Sequence, residues 1–396
     1  MSKQSPAVSG SLSLDKQNTS AKSDESQRTE SRGSRLLLSR RALGLAGLFG
    51  GAIGLTKPAA AQGNDVPIPE TPSGTTITPT AGSDGVKRAT LTVQFVSQVL
   101  LSAEGKQVIA QAIGFAESGG TTPGPTLVFY EGDQVAITVI NHIDQPFAIH
   151  WHGVIVPNSQ DGVPEIGQPT PLIQPGSSYT YRYQIVQPAG THMYHSHVDI
   201  RTEMLGLTGG FIILPKNSTG PRKYDRDVIF WLHEWNLPQD LEPQIVVGNR
   251  IMANPALRDR PYTGSPVDTV NSVSAKPNWQ VMEFNFLTMN GKAHPSHTPL
   301  QLRLGERLRV RFFNIGVNSH PMHFHGQNFF HIAEDGVDLK QPQEMNTIEV
   351  APGKTQDILI AASNPGVWPL HCHISHHQAN NFSSGFGGMA FIINIA

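Results

Sequence analysis

The sequence contains a single cysteine, Cys372, among 396 residues. One cysteine excludes a disulfide framework, so stability must come from cores, subunit contacts or bound metal. An excess of charge is also missing, because 29 basic and 31 acidic side chains give a formal net charge of -2. This balance argues against binding to nucleic acid or to an anionic membrane surface. Long amphipathic helices are hard to find, which favours an all-β fold.

The N-terminal region lacks the run of about 20 apolar residues that a membrane-spanning helix needs. Residues 1–38 are rich in Ser, Lys, Gln and Arg, and we expect them to be disordered. Ser39-Arg40-Arg41, a short apolar run and Ala59-Ala60-Ala61 then follow in the order of a signal peptide. The arginine pair resembles a twin-arginine signal. We therefore predict a signal region over 1–61, cleavage after its last alanine, export to the periplasm or the medium, and no stable membrane insertion.

The rest of the chain has the pattern of a β protein. Residues 62–87 are rich in Pro, Thr and Gly and predict a linker. Beyond them, short apolar runs alternate with Gly, Pro and Asn. Four stretches alternate apolar with polar residues and contain many β-branched and aromatic side chains, as strands do: 91–95, 134–140, 179–183 and 308–313. The pattern predicts all-β sandwiches.

An internal repeat divides this region in two. The segment His150-Trp151-His152-Gly153 recurs 173 positions later (323 − 150) as His323-Phe324-His325-Gly326. The segment His195-Ser196-His197 recurs 176 positions later (371 − 195) as His371-Cys372-His373. The repeat predicts two tandem β domains, at 88–218 and 222–396, each with two His-X-His segments.

The paired histidines indicate metal binding. Side chains two positions apart lie on one face of a strand, so both imidazoles of each pair can reach one metal. Imidazoles alone would suit copper, zinc or iron, and the neighbouring thiolate favours copper. The four pairs are His150/His152, His195/His197, His323/His325 and His371/His373.

The repeat also predicts which domain holds a mononuclear copper site. A thiolate, two imidazoles and a weak axial thioether make a blue-copper centre. Cys372 points to the strand face opposite its histidine neighbours, so one segment can serve two sites. The predicted ligands are His320, Cys372, His377 and the axial candidate Met389, with His376 as the rival of His377. The first domain has Phe147, Ser196 and Arg201 at the matching positions.

These motifs resemble those of the multicopper oxidases, in the order of that family and over essentially the whole mature chain. The resemblance implies two tandem cupredoxin-like Greek-key β-sandwiches of a laccase-like two-domain member. It also implies four copper ions per chain: one type 1, one type 2 and a type 3 pair. The type 2 ligands would be His150 and His323, and the type 3 ligands His152, His195, His197, His325, His371 and His373.

The resemblance extends to assembly and proton supply. Two-domain relatives form homotrimers, with the three-copper cluster between domain 1 of one chain and domain 2 of the next. Asp161, followed by Gly162, matches a family acid beside the type 2 copper and is the predicted proton donor. Two departures stand out: residues 378–388 separate the last histidine from Met389, and Gln378 occupies a position that is often acidic.

We therefore expect an oxidase that takes electrons from a phenol-like donor at the exposed edge of His377 or His320. The electrons would pass through Cys372 and its flanking histidines and reduce dioxygen to water. A metal-ion oxidase acting on Cu(I), Fe(II) or Mn(II) stays open, although no Met-rich insertion favours Cu(I). A copper nitrite reductase is disfavoured because that family has its blue copper in the first domain. A non-catalytic copper-binding protein is the weakest alternative.

Overall fold

The structure, a computed structural model, describes residues 66–103, 106–217, 223–237, 284–380 and 385–396. The predicted signal region lies outside these residues. Within them, the two α-helices are α1 (Ile200–Met204) and α2 (Ser375–Ala379), each of five residues. No helix in this part of the chain is long and apolar enough to cross a membrane.

The first half of the described chain is a sandwich of two sheets. Its strands are β1 (Thr76–Ile77), β2 (Val86–Ala103), β3 (Lys106–Phe115), β4 (Gly124–Tyr130), β5 (Gln134–Asn141), β6 (Ile149–His152), β7 (Ser178–Gln184), β8 (Gly190–Ser196) and β9 (Thr208–Leu214). The sheets have the orders β1-β4-β9-β8-β6 and β3-β2-β5-β7. Apolar side chains of both meet between them, where the Trp151 and Tyr181 rings lie edge to face with centroids 5.0 Å apart.

The second half repeats this arrangement. Its strands are β10 (Arg226–Trp235), β11 (Phe286–Met289), β12 (Leu300–Leu302), β13 (Arg307–Asn314), β14 (His320–Phe324), β15 (Phe329–Glu334), β16 (Val337–Met345), β17 (Thr347–Val350), β18 (Thr355–Ala361), β19 (Gly366–Cys372) and β20 (Ala390–Ile395). The sheets have the orders β11-β10-β13-β18-β15-β16 and β12-β20-β19-β14-β17. Phe230 and Phe391, one from each sheet, meet in the core with ring centroids 4.8 Å apart.

The expected all-β class is confirmed, and each of the four predicted strand stretches lies within a strand: β2, β5, β7 and β13. The internal repeat is visible in the strand register. In the first sandwich β2 pairs in parallel with β5, and Val93 lies opposite Asn141. In the second, β10 pairs in parallel with β13, and Leu232 lies opposite Asn314. This register relates residues of the two sandwiches one to one.

The predicted linker 62–87 differs from expectation, because its described part, from 66 onward, pairs with both sandwiches. β1 pairs in parallel with β4 of the first sandwich. Glu70 bridges to Val228 on β10 of the second, and its N–H donates to the Asp227 carbonyl at 2.8 Å. β11 covers only the Leu232–Trp235 end of β10. The backbone groups at the beginning of β10 are therefore not paired with β11 and can pair with another segment. The Pro- and Gly-rich composition of 62–87 does not prevent Glu70 from pairing there.

A group of buried charges joins the two sandwiches. Arg311 on β13 donates to both carboxylate oxygens of Asp227 on β10, from Nε at 2.8 Å and from Nη2 at 2.7 Å. The hydroxyl of Thr191, on β8 of the first sandwich, accepts from Arg311 Nη1 at 2.5 Å and donates to Asp357 at 2.7 Å. These four residues are at most 1% exposed. The contacts therefore fix β8, the strand that carries the predicted ligand His195, against the second sandwich.

Candidate metal centres

Three side chains converge in the second sandwich: His320 on β14, Cys372 at the end of β19 and His377 in α2. The Nδ1 atoms of the two histidines are 3.1 Å apart. The Sγ atom of Cys372 lies 3.8 Å from His320 Nδ1 and 3.5 Å from His377 Nδ1. The pairing of β14 with β19 and the turn into α2 bring the three together. Two imidazole nitrogens and one sulfur form a buried candidate metal site.

Burial shifts the pKa values of Cys372 and His377. It raises the pKa of the Cys372 thiol to about 12 and lowers the pKa of His377 to about 4. A thiolate is costly at this place unless a cation lies beside it, because a buried charge needs a partner. The neutral imidazole of His377, in contrast, can donate a lone pair to a metal ion. The three residues thus fit a soft cation such as copper.

Met389, the predicted axial ligand, is fully buried beside this site. Its carbonyl oxygen accepts from the Cys372 N–H at 3.0 Å, and its own N–H donates to the His377 carbonyl at 2.9 Å. These two bonds hold the backbone of Met389 beside Cys372 and His377. His376, the rival candidate, is exposed and is not one of the converging groups.

The histidine rings of this site are less accessible than the sequence predicts. We expect an exposed edge on His320 or His377, but the first is fully buried and the second is 3% exposed. The Nε2 atom of His320 faces Glu234, 3.0 Å away, rather than solvent. The ring of His377 lies T-shaped against that of His376, with centroids 4.4 Å apart. The exposed imidazole beside the site is therefore that of His376.

The first sandwich brings its own four histidines together. β6 pairs with β8 so that His150 lies opposite His195, with ring centroids 5.3 Å apart. His152 Nδ1 lies 3.3 Å from His195 Nε2. The ring of His197 lies 5.6 Å from that of His150. His150, His152 and His195 form the second candidate metal site.

Oxygen atoms behind these rings fix their orientation. The Nδ1 atom of His150 lies 2.9 Å from the Asp161 carbonyl oxygen and 3.4 Å from its carboxylate. The Nδ1 atom of His195 lies 3.2 Å from Glu203, and that of His197 lies 2.6 Å from Glu165. The Nε2 atom of each of these three rings is thereby left available to a metal ion. Burial opposes protonation of His195, but the Glu203 carboxylate raises its pKa overall.

The second sandwich holds the other four histidines. β14 pairs with β19 so that His323 lies opposite His371. His371 Nε2 lies 3.0 Å from His325 Nε2, and its Nδ1 donates to the Cys372 carbonyl at 2.8 Å. The rings of His371 and His373 stack with centroids 5.7 Å apart. In the described structure, every ring contact among the eight paired histidines stays within its own sandwich.

Three carboxylates at these sites were not predicted from the sequence: Glu165, Glu203 and Glu234. Glu203 lies in α1, directly after the His195-Ser196-His197 segment, and this closeness is a weak signal. Glu165 lies four residues after Asp161 in a surface turn. Glu234 precedes His320 by 86 positions (320 − 234), and no spacing in the sequence indicates their contact.

The sequence is similar to known multicopper oxidases. Two family profiles, both described as multicopper oxidase, match residues 105–218 and 261–387. Copper resistance protein A of Pseudomonas syringae pv. tomato is 29% identical over 67% of this chain and 44% of its own length. Laccase-3 of Oryza sativa subsp. japonica is 32% identical over 61% of this chain and 39% of its own length. The chain thus spans about two fifths of the length of these curated relatives.

Solved structures show the same likeness. The blue copper oxidase of Nitrosomonas europaea aligns with a TM-score of 0.61 at 27% identity, over 78% of this chain and 86% of that one. The multicopper oxidase mgLAC aligns with a TM-score of 0.62 at 27% identity, over the same shares of the two chains. The expected cupredoxin-like fold is confirmed by these similarities.

Proposed function

Because this chain belongs to the multicopper oxidase family, we propose that it takes single electrons from a reducing donor and reduces dioxygen to water. The observation that supports this most is the position of the segment His371-Cys372-His373. Cys372 faces one group of metal-binding side chains, whereas the histidines beside it face the other. Storage of copper does not require two sites joined through neighbouring residues of the chain.

The side chains fit copper at both kinds of site, because thiolate and imidazole are ligands that copper prefers. When bound, the copper ions would accept electrons singly and pass them to dioxygen, and the protein supplies orientation, protons and protection from water. We assign type 1 copper to His320, Cys372, His377 and Met389, type 2 copper to His150 and His323, and the type 3 pair to His152, His195, His197, His325, His371 and His373.

We further propose that Asp161 delivers protons, since reduction of dioxygen to water consumes them. Its carboxylate lies 3.4 Å from His150 Nδ1 and accepts from Gln168 Nε2 at 2.6 Å. The side chain is 27% exposed, so bulk water can restore its proton. A carboxyl group in this position combines contact with the site and access to solvent.

A second copy of the chain would complete the type 2 and type 3 sites. Each sandwich holds four of the eight histidines, and the two groups make no ring contact with each other in the described structure. His197 and His373, one from each group, are exposed. A ring of identical head-to-tail contacts would set the first sandwich of one chain against the second sandwich of the next. We propose a homotrimer of this kind.

The donor in this proposal is a phenol-like molecule that contacts the exposed imidazole of His376. A metal-ion donor is the second candidate, because an exposed imidazole can also bind a metal ion. Nitrite reduction is disfavoured, since the first sandwich has Phe147, Ser196 and Arg201 where a thiolate site would be. Export through the predicted signal is part of the proposal, and replacing Arg40 and Arg41 by Lys should leave the protein in the cytoplasm.

Oxygen uptake tests the proposed reaction. The copper-loaded protein is mixed with a methoxyphenol while dioxygen and peroxide are measured together. We expect uptake without peroxide, and no uptake with the Cys372→Ser variant loaded in the same way. Peroxide as the main product would contradict four-electron reduction. Absence of uptake with phenols, together with turnover of Fe(II), Mn(II) or Cu(I), would favour the metal-ion oxidase.

A further inference from the structure

Glu234 is a buried carboxylate that no part of the proposed reaction uses. It lies on β10 and is 1% exposed. Its Oε1 atom is 3.0 Å from Nε2 of His320, which is itself fully buried. That nitrogen makes no well-aligned hydrogen bond in the described structure, and the Glu234 carboxylate lies against it at ion-pair distance. Since the Nδ1 atom of the ring faces Cys372, the carboxylate contacts the side of the imidazole opposite the candidate metal site.

The loop before His320 holds this carboxylate in place. The Asn318 N–H donates to Oε1 at 2.9 Å, and the Asn318 side-chain amide donates to Oε2 at 3.1 Å. Gly316 makes room for the carboxylate, because a Cβ atom there would lie 2.6 Å from Glu234 Oε1. The carboxylate fills the space that the missing Cβ leaves, and any larger residue there would have to displace it.

The internal repeat supplies a control for this arrangement. Leu232 and Val93 are equivalent, because each lies opposite the repeated asparagine of its sandwich. Two residues further along β10 and β2 stand Glu234 and Phe95. By the 173-position offset, Ile143 corresponds to Gly316 and Phe147 corresponds to His320. The first sandwich thus has three apolar side chains, packed on its core, where the second has a carboxylate, a glycine and an imidazole.

The carboxylate is not needed to build the loop. In both sandwiches the repeated asparagine closes it in the same way. Asn141 donates to the Gln145 and Ile173 carbonyls of the first sandwich, at 2.9 and 2.8 Å. Asn314 does the same to the Asn318 and Val350 carbonyls of the second, both at 2.8 Å. The presence of Glu234 therefore correlates with the imidazole of His320 and not with the structure of the loop.

We propose that Glu234 is a positioning residue for the type 1 copper ligand His320, and that its charge lowers the reduction potential of this copper. This inference rests on the proposed function. Contact at Nε2 fixes the tautomer and aims Nδ1 at the metal. A negative charge one imidazole away, in a buried place where screening is weak, favours Cu(II) over Cu(I).

The test is a redox titration of the blue absorption in copper-loaded protein. Glu234→Gln keeps the shape and an oxygen acceptor but removes the charge. We expect copper binding and the blue colour to remain and the Cu(II)/Cu(I) ratio at a given potential to fall at least tenfold, a rise of 59 mV for a one-electron couple. Glu349→Gln is the matched control. It removes the same charge from an exposed position on β17, the strand that pairs with β14, and should leave the potential unchanged.

A second variant separates position from charge. Gly316→Ala keeps the carboxylate but pushes it away from His320, so the potential should again rise and the copper hyperfine splitting in electron paramagnetic resonance should change. An unchanged potential in this variant, or equal shifts in the Gln variants of Glu234 and Glu349, would overturn the inference. Wild-type protein that binds copper without any blue absorption would instead refute the proposed type 1 site.

Discussion

Removal of one member of the buried ion pair between Arg311 and Asp227 should cost far more stability than removal of one member of a surface pair one residue away. We consider Asp227→Ala, which removes a carboxylate that is 0% exposed. The guanidinium of Arg311 then loses the two hydrogen bonds that it donates to that carboxylate. Loss of one member of a buried pair costs up to about 3–5 kcal/mol when the remaining charge stays out of water without a partner, and Asp357, whose Oδ2 atom is 3.6 Å from Arg311 Nη1, offsets part of that cost. The neighbouring Arg226 pairs with Glu70, whose side chain is 54% exposed, and an exposed pair contributes about 0–1 kcal/mol.

The assay is urea unfolding of copper-loaded protein, followed by the fluorescence of the buried Trp151 and Trp231. Asp227→Ala should lower the free energy of unfolding by several times the loss in Glu70→Ala, with little change in the slope m. Asp227→Leu combined with Arg311→Met should recover much of that loss, because an apolar pair leaves no charge unpaired. Equal losses in the two alanine variants would refute the reasoning.

Three further outcomes follow from the sites. Cys372→Ser should abolish the blue absorption and donor oxidation and cost one copper per chain, while copper at the histidine groups is retained; a variant that stays blue would contradict the assignment. His150→Ala should remove the type 2 signal from the electron paramagnetic resonance spectrum and spare the blue absorption, so an unchanged spectrum would contradict the ligand set. Burial lowers the pKa of His192 from 6.5 to about 4. Between these two values the unfolded chain binds a proton at this residue and the folded chain does not, so the free energy of unfolding should fall as the pH drops from 6.5 to about 4. The loss from this residue is up to about 3 kcal/mol, and His192→Gln should show a shallower decline of the urea midpoint over that range than wild type.

The fold was predictable from the sequence because the pattern that indicates it is local and periodic. The alternation in 308–313 and 134–140 depends on one face of each strand packing into a core, and both are strands. The constant offset of the repeat is enough to relate the two halves of the chain. Strand alternation likewise predicts that both imidazoles of a His-X-His segment share one side. In three of the four segments the second histidine lies just beyond the end of its strand, and the pairing of β6 with β8 and of β14 with β19 joins the segments into groups of four.

What the sequence could not show depends on contacts between distant segments. Glu234 reaches His320 because β10 and the loop before β14 meet in three dimensions, and the sequence separates them by 86 positions (320 − 234). The accessibility of His377 depends on the position of the His376 ring against it. The pairing of Glu70 with β10 depends on how much of that strand β11 covers. None of these contacts has a period or a spacing that the sequence displays.

The single cysteine also gives the protein a built-in reporter of its own motions. Cys372 is the one thiol in the chain, and it is fully buried. An alkylating reagent added to copper-free protein therefore has one target and reaches it only while the core around the thiol is open. The rate of alkylation measures how often that opening occurs. It can be followed by the mass of the intact chain, so no label needs to be introduced.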